Sequence, residues 1–225
     1  MSIKKVHSEV ITIMFIDIVS YTKTTTKLKR VEFDNLHEIF DRLTKTVFKE
    51  YSGNVIKKIG DAFLITFKSA TNAVLCGMAL QSTLKYFNEK HKLKQKLEIR
   101  VAIHTGEVLI RDGDVYGDTV NITSRIEGVA KAGEVVFSEI VHSTINKNEI
   151  KTAYIGSHKL KGLERPINLF RVQTKKDLVL LKKKERKKRT HKVKRFFKRT
   201  LLKIVLLAII GILTFFLIRL VIIKN

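Results

Sequence analysis

Residues 9–18 read EVITIMFIDI, a β-branched apolar run that ends beside a carboxylate, and this run decides the fold. Such runs are typical of a central strand, because β-branched side chains pack well on a pleated, buried surface. Asp17 stands at the end of the run, where burying a charge is costly unless a partner is present. Taken alone, Asp17 is explained either by a metal ion or by capping of the helix that follows.

The elements after this strand alternate between helical and strand patterns. Gly60-Asp61 marks a turn between two strands, and Ser69 is a suitable N-cap for the second helix. The predicted elements are helix 31–51, strands 54–59 and 62–68, helix 69–90, strand 97–110, helix 119–130, and strands 134–137, 152–160 and 166–172. The opening β-α-β-β-α-β order predicts an α+β fold with a ferredoxin-like core, in which helices cover one face of an antiparallel sheet.

The second carboxylate lies in the segment KKIGDAFL at residues 57–64. In a ferredoxin-like sheet the first strand lies beside the strand pair that follows the first helix, so Asp17 and Asp61 are expected to converge. Two hard oxygen donors at one end of a sheet suit Mg²⁺ or Mn²⁺. Asp61 by itself is equally typical of a turn.

A third segment, DVYGDTVNITSR at residues 114–125, predicts a loop that leads into a helix. Asn121 and Arg125 are spaced i, i+4 and therefore share one helical face. An amide beside a guanidinium suits a sugar oxygen next to a charged phosphoryl group. The alternative is a polar surface face, and Asp118 is expected to be the N-cap of this helix.

Taken together, these segments resemble the catalytic domain of the class III nucleotide cyclases. The resemblance covers roughly residues 8–173, includes LKGLERPINLF at residues 160–170, and extends to the spacing between the motifs. It implies that Asp17 and Asp61, with the backbone carbonyl of Ile18, bind two Mg²⁺ or Mn²⁺ ions per active site. The implied reaction forms 3′,5′-cyclic AMP and pyrophosphate from ATP.

The same resemblance implies roles for the other motif residues. Asn121 corresponds to the residue that orients the ribose, and Arg125 to the one that stabilises charge on the α-phosphate. Lys161 stands where the family often has a contact to the triphosphate. Lys57 and Asp114 correspond to the pair that recognises the purine base.

Hydrogen-bond chemistry favours adenine at this pair. Adenine offers an acceptor at N1 and a donor at N6, while lysine only donates and an ionised aspartate only accepts. Lys57 and Asp114 therefore complement adenine, whereas guanine would favour a carboxylate at position 57. A guanylate cyclase and a catalytically inactive, membrane-tethered scaffold remain the alternatives.

In this family the active site lies between two catalytic domains. One domain supplies the metal-binding aspartates and the other supplies the residues that bind the base and stabilise the transition state. This chain carries both sets, so the resemblance implies a homodimer with two equivalent sites.

The charge of the chain is concentrated near its C-terminus. The formal net charge is +23, and 17 of the 44 Lys and Arg residues but only 2 of the 21 acidic residues lie within residues 175–225. A basic tail rather than a basic domain therefore accounts for most of the excess, and nucleic-acid binding is not expected. The single cysteine excludes an internal disulfide framework.

Three regions follow from these patterns: a catalytic domain at residues 1–174, a basic connector at 175–203 and a transmembrane helix at 204–223. Residues 204–223 are almost entirely apolar, and at about 1.5 Å per residue a helix of this length spans roughly 30 Å, the thickness of a bilayer core. Arg219 lies near one end and can reach the headgroups. The connector predicts a single-pass protein with its catalytic domain in the cytoplasm, and it either binds anionic lipids or serves only as a topology signal.

Deletion of the chain after Thr174 tests the membrane assignment. The truncated protein should move to the soluble fraction, because it loses both the basic connector and the apolar segment. Fractionation of cell lysates, with the full chain as the control, measures this. Retention of the truncated protein in the membrane fraction would contradict the assignment.

Overall fold

The computed structural model describes residues 6–19, 30–92 and 96–174, together with residues 177 and 179. The described residues up to Gln173 form one compact unit. Its strands are β1 (Val6–Ile18), β2 (Asn54–Ile59), β3 (Ala62–Phe67), β4 (Ile99–Arg111), β5 (Asp114–Tyr116), β6 (Val135–Ser138), β7 (Thr152–His158) and β8 (Ile167–Val172), and its helices are α1 (Arg30–Glu50), α2 (Ala70–His91), α3 (Asp118–Glu127) and α4 (Glu139–Thr144).

The strands form one mixed sheet with the order β2-β3-β1-β4-β6-β8-β7, and β5 pairs with β4. Only the β4–β6 pair among these is parallel. The first four strands have the order of a ferredoxin-like core, with β1 between β3 and β4. The predicted α+β fold and its β-α-β-β-α-β core are therefore confirmed.

Strand β1 separates two cores, because successive side chains point to opposite faces of a sheet. Met14 and Ile16 belong to the core on the side of α1 and α2. Ile13 and Phe15 belong to a second core, which includes residues of α3. Asp17 follows Phe15 by two residues on the same strand, so its side chain lies on the α3 side of the sheet.

Helices α1 and α2 cover the first face, as the apolar spacing of residues 31–51 predicts. Phe48 and Phe40 of α1 pack on Phe63 of β3, with ring centroids 5.5 Å and 6.1 Å apart. Ser69 caps α2, because its side-chain oxygen accepts a hydrogen bond of 3.2 Å from the backbone N–H of Asn72. The predicted N-cap is therefore confirmed.

Helix α3 packs on the opposite face of the sheet. The sequence predicted helices on one face only, so this position of α3 was not expected. A Cβ at Gly106 of β4 would lie 2.5 Å from the hydroxyl oxygen of Thr119, so glycine is what permits this close approach. The Thr119 hydroxyl donates to the Glu107 carbonyl over 2.7 Å. The prediction that Asp118 is the N-cap is wrong: Gly117, with φ of 123°, occupies that position and Asp118 begins the helix.

Within the part of the chain that the structure describes, no helix is long and apolar enough to cross a membrane. The apolar segment at residues 204–223 and nearly all of the basic connector lie outside the described residues. Both assignments therefore stay predictions from the sequence.

Candidate active site

Asp17 and Asp61 converge at one end of the sheet. Asp17 lies at the end of β1, and Asp61 lies in the turn before β3, which pairs with β1 through Ile16 and Phe63. Burial raises the pKa of Asp61, and the negative charge of Asp17 and a hydrogen bond with its side chain raise it further. The two carboxylates are therefore close enough to repel each other, as the predicted metal site requires. Ile18, the third predicted ligand, is the last residue of β1.

The structure adds Arg100 and Glu127, which the sequence analysis did not select. Arg100 lies directly opposite Asp17 in the β1–β4 register. Its Nη2 and Nε donate to the same oxygen, Asp17 Oδ2, over 2.6 Å and 3.0 Å. The guanidinium also forms an ion pair with Glu127 at the end of α3. Arg100 therefore joins the end of β1 to the end of α3.

Glu127 has the environment of a carboxylate that lacks sufficient counter-charge. Its Oε1 is buried and, although ion-paired with Arg100, makes no hydrogen bond among the described residues. Burial raises the pKa of Glu127, Arg100 opposes this rise, and the charges of Asp17 and Asp61 add to it. The negative charges of Asp17 and Asp61 act on Glu127 in the same direction as its burial, so the local field favours an additional cation.

These residues fit a divalent metal site that substrate completes. Asp17, Asp61 and Glu127 interact electrostatically, and the Arg100 guanidinium contacts Asp17 and Glu127, so the cluster keeps an excess of carboxylates. No group of three or more His, Cys, Asp or Glu side chains able to hold a metal ion by itself occurs in the described segments. Mg²⁺ is commonly bound through one or two carboxylates together with substrate phosphates, so two aspartates are a suitable protein contribution.

Lys57 and Asp114 meet between β2 and β5. The Lys57 ammonium donates to Asp114 Oδ2 over 2.6 Å, and both side chains remain partly exposed. This hydrogen bond is the largest of the effects that hold the pKa of Asp114 below its usual value. The Tyr116 ring lies 5.8 Å from the Lys57 ammonium and was not selected from the sequence. The structure thus places the predicted base-recognition residues side by side.

The residues predicted to bind ribose and phosphate cluster around α3. Asn121 is exposed, and the half-buried Arg125 lies one helical turn further on. Arg125 packs against Gly162, where an added Cβ would lie 3.1 Å from its Nη2. The turn at Lys161 is therefore next to Arg125, and Lys161 itself is exposed. Gly162, like Arg100, Glu127 and Tyr116, was not selected from the sequence.

The predicted residues form separate groups rather than one pocket. No hydrogen bond or ion pair among the described residues joins Asp17 or Asp61 to Lys57, Asn121 or Arg125. A cleft of about 450 Å³ contains none of the eight predicted site residues among those that line it. In the described part of the chain, the predicted residues thus lie in three places: the end of β1 with the turn before β3, the contact between β2 and β5, and helix α3 with the neighbouring turn.

The chain matches the family model described as the adenylate and guanylate cyclase catalytic domain over residues 3–175. It therefore belongs to the class III adenylate and guanylate cyclase catalytic domains, and the resemblance noted from the motifs is confirmed. The family includes enzymes of both substrate types, so membership alone leaves the base specificity open.

Two curated relatives and a solved structure are similar to the chain. The chain is 36% identical over 163 residues to the serine/threonine-protein kinase pkn2 of Myxococcus xanthus, covering 72% of this chain and 20% of that protein. It is 29% identical over 159 residues to putative adenylate cyclase 3 of Rhizobium meliloti, covering 70% and 27%. The crystal structure of the adenylyl cyclase CyaB from P. aeruginosa matches with a TM-score of 0.71 at 25% identity, covering 76% of this chain and 96% of that one. The chain thus spans about a quarter or less of the length of these two curated relatives.

Substitution Gly162→Ala tests whether the Lys161 turn positions Arg125. The added Cβ should displace the guanidinium, and nucleotide-cyclising activity should fall by about tenfold, the effect expected for a misplaced functional group. Gly133→Ala is the matched control, because Gly133 has a similar φ of +79° against +73° but no atom within 4 Å of an added Cβ. Both variants carry the same backbone strain, so thermal melts should agree while steady-state rates differ. Equal rates in the two variants would contradict the positioning role.

Proposed function

We propose that this chain is an adenylate cyclase that converts ATP to 3′,5′-cyclic AMP and pyrophosphate at the interface of a homodimer. Family membership supports nucleotide cyclisation. The observation that supports ATP over GTP is the direct contact of 2.6 Å between Lys57 and Asp114. The pair presents a donor and an acceptor side by side, which is the complement of the N1 and N6 edge of adenine.

The partly exposed position of this pair is important for its proposed role. Lys57 and Asp114 neutralise each other before substrate binds, and the pair stays open to solvent at 40% and 27% of side-chain area. Adenine can therefore insert between a donor and an acceptor that are already in place. Guanine would oppose its N1–H donor to the lysine and leave polar groups unpaired, which costs much of the binding free energy.

Asn121, Arg125 and Lys161 bind the sugar and the phosphates in this proposal. Water takes the proton of the 3′-hydroxyl, the 3′-oxygen attacks the α-phosphorus to close the ring with a new P–O bond, and pyrophosphate leaves with the electrons of the broken bond. Asn121 holds the ribose in line for attack, and the Arg125 guanidinium stabilises the charge that develops on the α-phosphate. Lys161, on the turn next to Arg125, adds positive charge towards the leaving pyrophosphate.

Asp17, Asp61 and the Ile18 carbonyl hold the two Mg²⁺ or Mn²⁺ ions in this proposal. When bound, such ions lower the pKa of the 3′-hydroxyl and neutralise charge on the phosphates. The protein's own contribution is a pair of converging carboxylates. Burial and then the charge of Asp17 raise the pKa of Asp61, and a bound cation would offset both effects.

Two copies of the chain are needed to complete each site. The aspartates belong to one group of residues, and Lys57, Asp114, Asn121 and Arg125 belong to others, with no direct polar contact between them in the described segments. In a symmetric dimer, the aspartates of each copy lie against the remaining site residues of the other copy, and this gives two equivalent sites. We also propose that the segment at 204–223 tethers this dimer to a membrane, with the basic connector facing the cytoplasm and anionic lipids.

The double substitution Lys57→Glu with Asp114→Cys should convert the preference from ATP towards GTP. The carboxylate at position 57 would accept from guanine N1–H, and the ratio of ATP to GTP turnover should fall on the order of a hundredfold. Quantification of cyclic AMP and cyclic GMP by mass spectrometry measures this. Lys58→Glu is the matched control, because Lys58 lies on the same strand but pairs with Asp41 over 2.6 Å.

In that experiment an unchanged ratio in the double variant would contradict the proposed base recognition. A wild-type protein that makes more cyclic GMP than cyclic AMP would overturn the choice of ATP. Background levels of both products with wild type in Mn²⁺, equal to those of Asp17→Ala, would favour the inactive scaffold.

Mixing two inactive variants tests the dimeric site. Asp17→Ala lacks one half of a site and Arg125→Ala lacks the other, so each alone should be inactive. A mixed dimer contains one intact site, and an equimolar mixture should recover about a quarter of the wild-type activity per chain. A product assay across a range of protein concentrations measures this, with Asp17→Ala mixed with Asp61→Ala as the control that should stay inactive. No recovery in the first mixture would show that both residues act in one chain.

A further inference from the structure

We propose that Arg100 is a charge placeholder in the carboxylate cluster: its guanidinium offsets the negative charge of the site when divalent metal is absent, and it thereby lowers the affinity for metal. The inference rests on the proposed function only in taking Asp17 and Asp61 as metal ligands. The alternative role is that of a brace, meaning a side chain that holds the metal-binding carboxylates in position. The two roles have opposite effects on the affinity for metal.

The geometry of the contact supports this role. Both donors of Arg100 point at a single oxygen, Asp17 Oδ2. The guanidinium therefore occupies one oxygen of Asp17 that could bind a metal ion, rather than donating hydrogen bonds to both oxygens of the carboxylate. A brace would be expected to use the bidentate arrangement, which fixes the plane of the carboxylate.

The balance of charge points the same way. Asp17, Asp61 and Glu127 interact electrostatically, and Arg100 is the cation that contacts two of them. His37 adds a smaller favourable effect at Asp61. Asp17 and Glu127 expose only 16% and 18% of their side chains, so water screens their repulsion poorly. The metal-free cluster depends on Arg100 for compensation.

Glu127 gives Arg100 a second partner. The Arg100 guanidinium already contacts Glu127 Oε1, a buried oxygen that makes no hydrogen bond in the described segments. When a cation occupies the aspartates, Arg100 can exchange its contact with Asp17 for a full contact with Glu127. The movement is small, because both carboxylates already touch the guanidinium.

The two roles predict opposite signs for metal affinity. If Arg100 is a placeholder, removal of its charge strengthens metal binding, since the incoming cation no longer displaces or faces a guanidinium. If Arg100 is a brace, removal disorders Asp17 and weakens metal binding. Catalytic rate alone does not separate these cases, so the binding of metal must be measured directly.

The test uses the purified full chain in detergent, with Mn²⁺ as the probe and no nucleotide. Free Mn²⁺ is followed by electron paramagnetic resonance for wild type, Arg100→Gln and Arg100→Lys. Arg100→Gln should bind Mn²⁺ about tenfold more tightly, the order expected for removing one charge beside a divalent ion in a partly solvated site. Arg100→Lys keeps the charge but loses the planar guanidinium, so its affinity for Mn²⁺ should stay within about twofold of wild type.

Thermal melts provide a second readout. Without metal, Arg100→Gln should melt below wild type because the carboxylates lose their compensation, and saturating Mn²⁺ should remove most of this difference. Glu127→Gln serves if Arg100→Gln does not fold: it leaves Arg100 with Asp17 as its carboxylate partner and should weaken Mn²⁺ binding. Equal or weaker binding by Arg100→Gln, a large loss in Arg100→Lys, or tighter binding by Glu127→Gln would each overturn the placeholder role.

An Asp17→Asn variant separates this inference from the proposed function. It should bind Mn²⁺ far more weakly than wild type. If wild type and Asp17→Asn bind Mn²⁺ equally, the metal site itself is wrong and the proposed function fails with it. If Asp17→Asn loses binding but Arg100→Gln does not gain it, only the placeholder role fails.

Discussion

The pairing of β1 along both of its edges is the constraint on which the rest of the structure depends. With β3 on one side and β4 on the other, β1 cannot shift by one residue without exchanging its two faces. Met14 and Ile16 must then face α1 and α2, and Asp17 must face α3. The same register sets Arg100 opposite Asp17 and brings the turn at Asp61 to the same end of the sheet. The positions of Asp17, Arg100 and Asp61 relative to one another are therefore a consequence of strand pairing.

This dependence explains which parts of the site the sequence could predict. Asp17 and Asp61 lie in short motifs beside strands, and the ferredoxin-like order of the core was sufficient to place them together. Arg100 was not found, because its role depends on a register between strands that are distant in the sequence. Gly162 was missed for the same reason, since only the folded chain brings its turn against Arg125.

The wrong expectations have local physical causes. Asp118 was expected to be the N-cap of α3 because of its side chain, but the position before the helix has a φ of 123°, which Gly117 adopts without strain. The placement of α3 on the far face depends on the approach of Thr119 to Gly106, a contact that no periodic pattern encodes. The net charge of +23 was equally uninformative about the site, because the cluster around Asp17 is locally acidic within a basic chain. Local burial, rather than overall charge, determines the field that a bound cation meets.

Helix α3 connects the two halves of the proposed catalytic machinery. Asn121 and Arg125 share one of its faces, whereas Glu127 follows Arg125 by two residues and is rotated by about 200° around the axis. Under the proposed function, one side of the helix serves the ribose and phosphate, and the other contacts Arg100, which is paired with Asp17. In a symmetric dimer these two sides belong to different active sites. In the proposed dimer, the contact of Glu127 with Arg100 at one site and the Arg125 side chain at the other are therefore carried by the same helix of ten residues.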